Sequence, residues 1–102
     1  MTARLQHAHP MTENELKGYV LQIAYRNGWQ VYHVPQATMH NGGGRGYPDL
    51  TLARDGEVLW LELKQEAGKL TSDQAGWQLA LPRMEVIRPS DLARGRVDEL
   101  LA

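Results

Sequence analysis

A two-residue turn, Asp55-Gly56, constrains this chain more than any other feature of its sequence. Asp-Gly favours a type I′ turn, and the apolar residues on either side, at 50–52 and 58–61, predict two antiparallel strands. Pairing outward from this turn places Asp49 opposite Glu62. Facing residues share one side of a sheet, with Cβ atoms about 4.5–5.5 Å apart, and Lys64 points the same way as Glu62. The sequence therefore predicts two carboxylates and one ammonium group at the open end of a hairpin.

This predicted cluster is costly unless a cation neutralises it. Two carboxylates about 4 Å apart repel each other by roughly 4 kcal/mol at an effective dielectric constant near 20. Mg²⁺ or Mn²⁺ would relieve the repulsion, because both ions prefer oxygen ligands. The alternative is a hairpin end with solvated charges, in which the ion pair contributes roughly 0–1 kcal/mol. The register alone leaves both interpretations open.

The composition limits the classes of protein to which the chain could belong. Its 102 residues fit one small domain, and the absence of cysteine excludes disulfides and thiolate metal sites. No apolar run approaches the ~18–20 residues of a membrane helix, and no signal-peptide pattern is present, so a cytoplasmic location is expected. The net charge of −1 argues against simple coating of DNA, but not against a nuclease whose carboxylates bind metal.

The hydrophobic pattern predicts an α/β domain with a mixed central sheet of about four strands and helices on both faces. We expect a disordered leader over residues 1–11 and a single domain over residues 12–102. Outside the hairpin, the predicted elements are a helix at 12–27, a strand at 30–34, a helix at 71–80, a strand at 84–87 and a helix at 91–101 capped by Ser90. Both faces of the hairpin are largely apolar, so it should be central and covered on both sides.

Capping boxes mark the start of two predicted helices. Thr12 and Glu15 form the first box, and Thr71 and Gln74 form the second. Glu15 thus has a structural role, and Glu13 remains as the acid that could reach the hairpin cluster. The alternative is that Glu13 only complements the helix dipole, which contributes roughly 0.3–1 kcal/mol.

A glycine-rich loop, residues 35–47, leads into the first hairpin strand. Its segment Gly42-Gly43-Gly44-Arg45-Gly46 matches neither phosphate-loop pattern, because it lacks Gly-Lys-Ser/Thr and precedes a strand. Arg45 could contact a phosphate of a substrate, and Lys69 could add to a positive surface there. An ordinary mobile loop is the alternative.

Several segments together resemble the VRR-NUC (virus-type replication-repair nuclease) family of the PD-(D/E)xK nuclease superfamily, in its small stand-alone phage-like form. The similarity extends over about residues 12–92. The segments are Thr12-Glu13 with Leu16, Gly28-Trp29 before a strand with His33, Gly46-Tyr47-Pro48-Asp49, Glu62-Leu63-Lys64, Gly68-Lys69-Leu70 before Thr71-Ser72-Asp73-Gln74, and Arg88-Pro89-Ser90-Asp91-Leu92.

The resemblance implies a restriction-endonuclease-like fold and metal-dependent hydrolysis of phosphodiester bonds in DNA. The metal ligands implied by position are Glu13, Asp49, Glu62 and the main-chain carbonyl of Leu63. Lys64 would orient or activate the attacking water, and Gln74 would support the site or contact the substrate. No nucleotide cofactor and no membrane contact are expected.

Stand-alone members of the family look like dimeric resolvases of branched DNA. The resemblance therefore implies a homodimer that acts on Holliday junctions, since a two-fold dimer would place two cuts symmetrically. A flap or nicking nuclease and a catalytically silent DNA-binding module are the alternatives. Nothing in the sequence distinguishes DNA from RNA as the substrate.

Overall fold

The computed structural model describes residues 10–34 and 44–102, which form a mixed four-stranded sheet with flanking helices. The elements are α1 (Glu13–Arg26), β1 (Gln30–His33), β2 (Leu50–Arg54), β3 (Glu57–Leu63), α2 (Ser72–Ala80), β4 (Met84–Ile87), α3 (Pro89–Ala93) and α4 (Arg96–Leu101). The strands lie in the order β1-β2-β3-β4, antiparallel except for the parallel pair β3–β4. The predicted mixed α/β architecture is confirmed.

Two segments for which the sequence makes predictions lie partly outside these ranges. Residues 1–9 of the expected leader and residues 35–43 of the glycine-rich loop lie outside the described ranges. Within those ranges, none of the helices combines the length and apolar content that a membrane crossing requires.

The central hairpin has the register that its turn predicts. Asp55 and Gly56 have φ angles of 52° and 82°, and a type I′ turn requires positive values at both positions. Arg54 faces Glu57, and the ladder continues outward to Leu50 opposite Leu61. The next residues outward are Asp49 and Glu62, so the hairpin brings the two acids to the same end of the sheet.

One face of the hairpin forms the core together with α1 and α4. Its five buried leucines alternate along the two strands: Leu50, Leu52, Leu59, Leu61 and Leu63. They pack against the apolar side of α1 and against Val97 and Leu101 of α4. Each such side chain contributes roughly 1.5–3 kcal/mol through burial. This packing holds the start of α1 near the open end of the hairpin.

The opposite face of the hairpin is less covered than the sequence predicts. Val58 is 43% exposed and Ala53 is exposed, so the expectation of cover on both sides is wrong near the turn. α2 has no fully buried residue, and Ala80 at its end is exposed. α2 covers little of this face, because it packs beside β4 and against the segment leading into β2. There Trp77 Nε1 donates a hydrogen bond to the Arg45 carbonyl.

The predicted helix at 91–101 is two short helices, so that prediction and the Ser90 cap are wrong. α3 begins at Pro89, because proline suits the first helical position and the Asp91 carboxylate accepts a 2.8 Å hydrogen bond from the N–H of Arg88. Gly95, with a φ of 82°, separates the two helices in a left-handed conformation that favours glycine.

Candidate active site

Two carboxylates meet where β2 begins and β3 ends. Asp49 Oδ2 accepts a hydrogen bond from the main-chain N–H of Leu63 at 2.8 Å. Glu62 is only 3% exposed, and in addition to this burial its carboxyl group lies close enough to that of Asp49 for the Asp49 charge to raise its pKa. The structure thus brings together the acidic pair that the turn predicts, and it buries one member of that pair.

The second capping box is linked directly to this pair. Gln74 Oε1 accepts from the N–H of Thr71 at 2.9 Å, and the N–H of Gln74 donates to Thr71 Oγ1 at 3.2 Å. The amide nitrogen of the same side chain, Nε2, donates to Glu62 Oε2 at 3.0 Å. The cap of α2 therefore orients Gln74, and Gln74 orients Glu62.

The other oxygen of Glu62 has no such partner. Oε1 is buried, and within the described part of the chain no hydrogen-bond donor reaches it. An unsatisfied buried acceptor costs about 1–3 kcal/mol, and more when it is charged. The oxygen atom is therefore a place where a cation or a donor from a ligand would be stabilising.

The pKa of Glu62 reflects the same surroundings. Burial, followed by the negative charge of Asp49, raises the pKa from 4.5 to about 8, while the ammonium group of Lys64 opposes the shift. The charge of Glu13 raises it further by a smaller amount. At neutral pH the pair therefore shares a proton, which a bound divalent cation would replace.

A small pocket of about 90 Å³ opens beside Asp49. Glu13, Asn14 and Lys17 line it from α1, and Asp49 and Leu63 line it from the hairpin. The Leu63 carbonyl points to the same side as the Leu63 N–H, which bonds Asp49, because both groups of one strand residue face one neighbour. Three of the four implied metal ligands therefore border one cavity, and the fourth is Glu62, whose pKa is raised by burial and by the charge of Asp49.

These donors do not form a complete protein shell around an ion. Across residues 10–34 and 44–102, no three His, Asp or Glu side chains are grouped closely enough to hold a metal ion. Glu13 is exposed to solvent. The other oxygen donors of the implied set are the carboxylates of Asp49 and Glu62 and the Leu63 carbonyl. This donor set fits Mg²⁺ or Mn²⁺, since Mg²⁺ usually binds one or two carboxylates and keeps several waters.

Lys64 lies directly after β3, on the same side of the strand as Glu62. Its main-chain N–H donates to the carbonyl of Ile87 at 2.9 Å, so β4 fixes the backbone at this position. The side chain is half-buried, and its charge lowers the pKa of Glu62. The predicted grouping of two acids and one lysine is therefore present.

No family model, curated protein or solved structure matches this chain. The resemblance to VRR-NUC proteins rests on the residues quoted for it. The restriction-endonuclease-like relationship and the functions that it implies are therefore proposals.

Arg88 holds the backbone that follows Lys64, a role that the hydrophobic pattern did not predict. Its Nη1 lies 2.9, 3.2 and 2.6 Å from the carbonyl oxygens of Gln65, Glu66 and Gly68. These bonds hold the segment that follows Lys64. The only sequence signal was its place in the last segment of the resemblance, because its partners lie about twenty residues earlier in the chain.

An aromatic cluster beside the site was also missed. Trp60 Nε1 donates to the Tyr47 hydroxyl at 2.8 Å, and the Tyr47 and Trp77 rings meet edge to face with centroids 4.9 Å apart. Trp77 Nε1 donates to the carbonyl of Arg45 at 3.0 Å. The cluster joins a loop, a strand and a helix, so no local pattern in the sequence marks it.

The two residues predicted to contact DNA, Arg45 and Lys69, are both exposed. Arg45 borders a surface pocket beside α2, and Lys69 lies in the connector between Lys64 and α2. Their positions are compatible with contacts to a ligand of the acidic pair. Their role in binding DNA stays a prediction.

Substitution of the two acids in the first turn of α1 should separate their roles. Glu15 Oε1 accepts from the N–H of Thr12 at 2.9 Å, so Glu15→Ala should cost about 0.5–2 kcal/mol of stability, with only a modest loss of activity. Glu13→Ala leaves that cap intact but removes a carboxylate from the pocket, so it should weaken Mn²⁺ binding at near-native stability. Urea denaturation and calorimetric Mn²⁺ titration of both variants measure these effects. The reverse pattern would exchange the two assignments.

Proposed function

We propose that this protein is a divalent-metal-dependent endonuclease that hydrolyses phosphodiester bonds in structured DNA. The observation that carries the proposal is the pair of half-buried Asp49 and buried Glu62, in which Glu62 Oε1 lacks a donor within the described part of the chain, with Lys64 beside it. Like charges held together in a buried position destabilise a fold unless a further ligand compensates them. A domain that served only as a scaffold would be more stable with apolar residues there.

The metal would be held by Asp49 and Glu62, with the Leu63 carbonyl and Glu13 completing the protein's share of the ligands. When bound, Mg²⁺ or Mn²⁺ neutralises the phosphodiester and lowers the pKa of the attacking water. Gln74 keeps one carboxylate oxygen of Glu62 engaged, and the other oxygen, which has no partner within the described residues, is the one that would bind the ion.

Lys64 supplies the hydrogen-bond donors that the carboxylates cannot provide. A protonated lysine has three donors and no acceptor, so it can orient the attacking water and stabilise the charge that develops on the phosphate oxygens. The backbone bond to Ile87 fixes the base of this side chain, and Arg88 fixes the segment that follows it.

Charge balance at the pocket favours an anionic substrate only with the metal in place. Three carboxylates, of Glu13, Asp49 and Glu62, face the ammonium groups of Lys17 and Lys64. A divalent ion makes the positive charges outnumber the negative ones. The site would therefore attract a phosphodiester when the ion is present, whereas without the ion Glu62 keeps its proton at neutral pH and the charges balance.

Within the nuclease class, we propose a Holliday-junction-resolvase-like homodimer in the cytoplasm as the first candidate. The resemblance and the small size of the chain support this choice. Leu79 on α2 is 89% exposed and is an apolar residue that a second copy could cover. A monomer at micromolar concentration in sedimentation experiments would contradict the dimer.

Cleavage of a panel of labelled DNAs tests the proposal. The panel contains a four-way junction, a flap, a nicked duplex and a linear duplex, each with Mg²⁺, Mn²⁺ or a chelator. We expect metal-dependent cleavage of branched DNA that Glu62→Gln abolishes. Arg26→Ala is the matched control, because Arg26 pairs only at the surface with Asp98 at 3.5 Å. If the folded protein cleaves none of the four DNAs with either metal, the proposal is refuted.

A further inference from the structure

A surface pocket of about 290 Å³ lies beside α2, on the side of the segment that leads into β2. Its lining residues are Arg45, Ser72, Asp73, Gly76, Trp77 and Ala80. The indole of Trp77 is the only large ring among them. A Cβ added at Gly76 would meet no atom of the described residues within 4 Å, so these residues leave the space in front of the helix open there.

The Trp77 ring is fixed in place before any ligand arrives. Its Nε1 is bonded to the Arg45 carbonyl, and Tyr47 packs against it at an interplanar angle of 83°. The Tyr47 hydroxyl is in turn bonded to Thr51 and Trp60. A ring that is already ordered loses little conformational entropy when a flat ligand stacks on it.

The segment that carries Arg45 is fitted closely to α2. Gly46 has a φ of 81°, and a Cβ there would lie 2.6 Å from the Cβ of Asp73. Only glycine fits this contact without a shift of the backbone. The wall of the pocket is therefore tied to the helix that forms its floor.

The pocket is close to the acidic pair along the same helix. Gln74, whose amide lies 3.0 Å from Glu62, precedes Trp77 by one helical turn. Three residues of α-helix correspond to about 4.5 Å along the axis. The same helix therefore carries both the residue that bonds Glu62 and the ring that lines the pocket.

We infer that this pocket binds an unpaired nucleobase of the DNA strand whose phosphate is held at the Asp49–Glu62 pair. The inference rests on the proposed function for the identity of the ligand as DNA. Arg45 and Asp73 carry opposite charges at the pocket, so it suits a neutral aromatic group better than a phosphate. A base in a duplex has its faces covered by its neighbours, whereas an unpaired base can stack on the indole.

Two variants remove the pocket in different ways. Trp77→Ala deletes the stacking surface, and Gly76→Leu fills the open space while leaving Trp77 in place. Gly18→Leu is the matched control, because Gly18 is also an exposed helical glycine at which an added Cβ meets no atom within 4 Å. Leucine has a higher helix propensity than glycine, so neither glycine variant should lose helix stability.

The probe is a duplex with a single-stranded flap that carries a fluorescent adenine analogue at its first unpaired position. A blunt duplex of the same paired sequence is the reference, and both are titrated with the full chain in Ca²⁺ instead of Mg²⁺ or Mn²⁺, so that a cation with oxygen ligands is present at the acidic pair. Trp77→Ala and Gly76→Leu should lower the ratio of flap to blunt affinity by about 5- to 150-fold, the range that stacking of one base implies. Gly18→Leu should keep the ratio, and only wild type and Gly18→Leu should quench the analogue.

The inference is overturned if both pocket variants keep the wild-type ratio of flap to blunt affinity. It is also overturned if they weaken binding to the flap and to the blunt duplex equally. If Gly76→Leu changes the sedimentation of the protein but not its DNA binding, the pocket is a contact between copies, which also overturns it. Cleavage of the same flap with Mn²⁺ separates this result from the proposed function. If binding of the flap depends on Trp77 but the flap is not cleaved, only the proposed nuclease activity is refuted. If the flap is cleaved but its binding does not depend on Trp77, only the base pocket is refuted.

Discussion

Lys64→Ala should reduce metal-dependent DNA cleavage by about 100- to 10,000-fold, the range typical for loss of a group that transfers a proton or stabilises the transition state. The side chain is half-buried at the end of β3 and lies outside the leucine core. Folding and DNA affinity should therefore remain close to those of wild type. Single-turnover cleavage rates, fluorescence anisotropy and thermal unfolding measure the three quantities on the same preparation.

Arg26→Ala serves as the control for removing a positive charge, since Arg26 lies at the surface and pairs with Asp98. It should cleave at the wild-type rate. Metal-dependent cleavage by Lys64→Ala at that same rate would remove Lys64 from the mechanism. A large loss of thermal stability in Lys64→Ala would instead assign the lysine a structural role.

The metal-free protein should lose stability as the pH rises from about 4.5 to about 8, and Glu62→Gln should remove that loss. The folded state raises the pKa of Glu62, so between these values it keeps a proton that the unfolded chain has released. Stability from this group is complete below pH 4.5 and falls until the pH passes about 8. For one proton the steepest slope is about 1.4 kcal/mol per pH unit.

Glutamine is the informative replacement, because it has nearly the size and shape of glutamate but cannot ionise. Urea denaturation over a pH series in chelator gives the two profiles. Saturating Mn²⁺ should stabilise wild type more at pH 8 than at pH 5, since the carboxylate must lose its proton to bind the ion. Parallel profiles for wild type and Glu62→Gln would show that Glu62 does not carry the proton.

The parts of the fold that follow from neighbouring residues were predictable. Asp55-Gly56 set the register of the hairpin, and with it the meeting of Asp49 and Glu62. The capping boxes at Thr12 and Thr71 marked the starts of α1 and α2. Each of these signals spans a few residues, and the conformation that it favours depends little on the rest of the chain.

Features that depend on distant packing were not predictable in the same way. The helix predicted at 91–101 is broken at Gly95, and the face of the hairpin that was predicted to be covered is open near Val58. The depth at which Glu62 is buried depends on β4 and α2, which pack around it from later in the chain. The bond from Trp77 to Arg45 likewise joins residues that only the tertiary fold brings together.

Soaking crystals of the protein in Mn²⁺ and recording the anomalous signal of manganese tests the central claim most directly. We expect a single strong peak that contacts Asp49 and Glu62 Oε1, together with loss of that peak in Glu62→Gln crystals soaked in the same way. Ordered Asp49 and Glu62 side chains with no manganese between them would contradict the account.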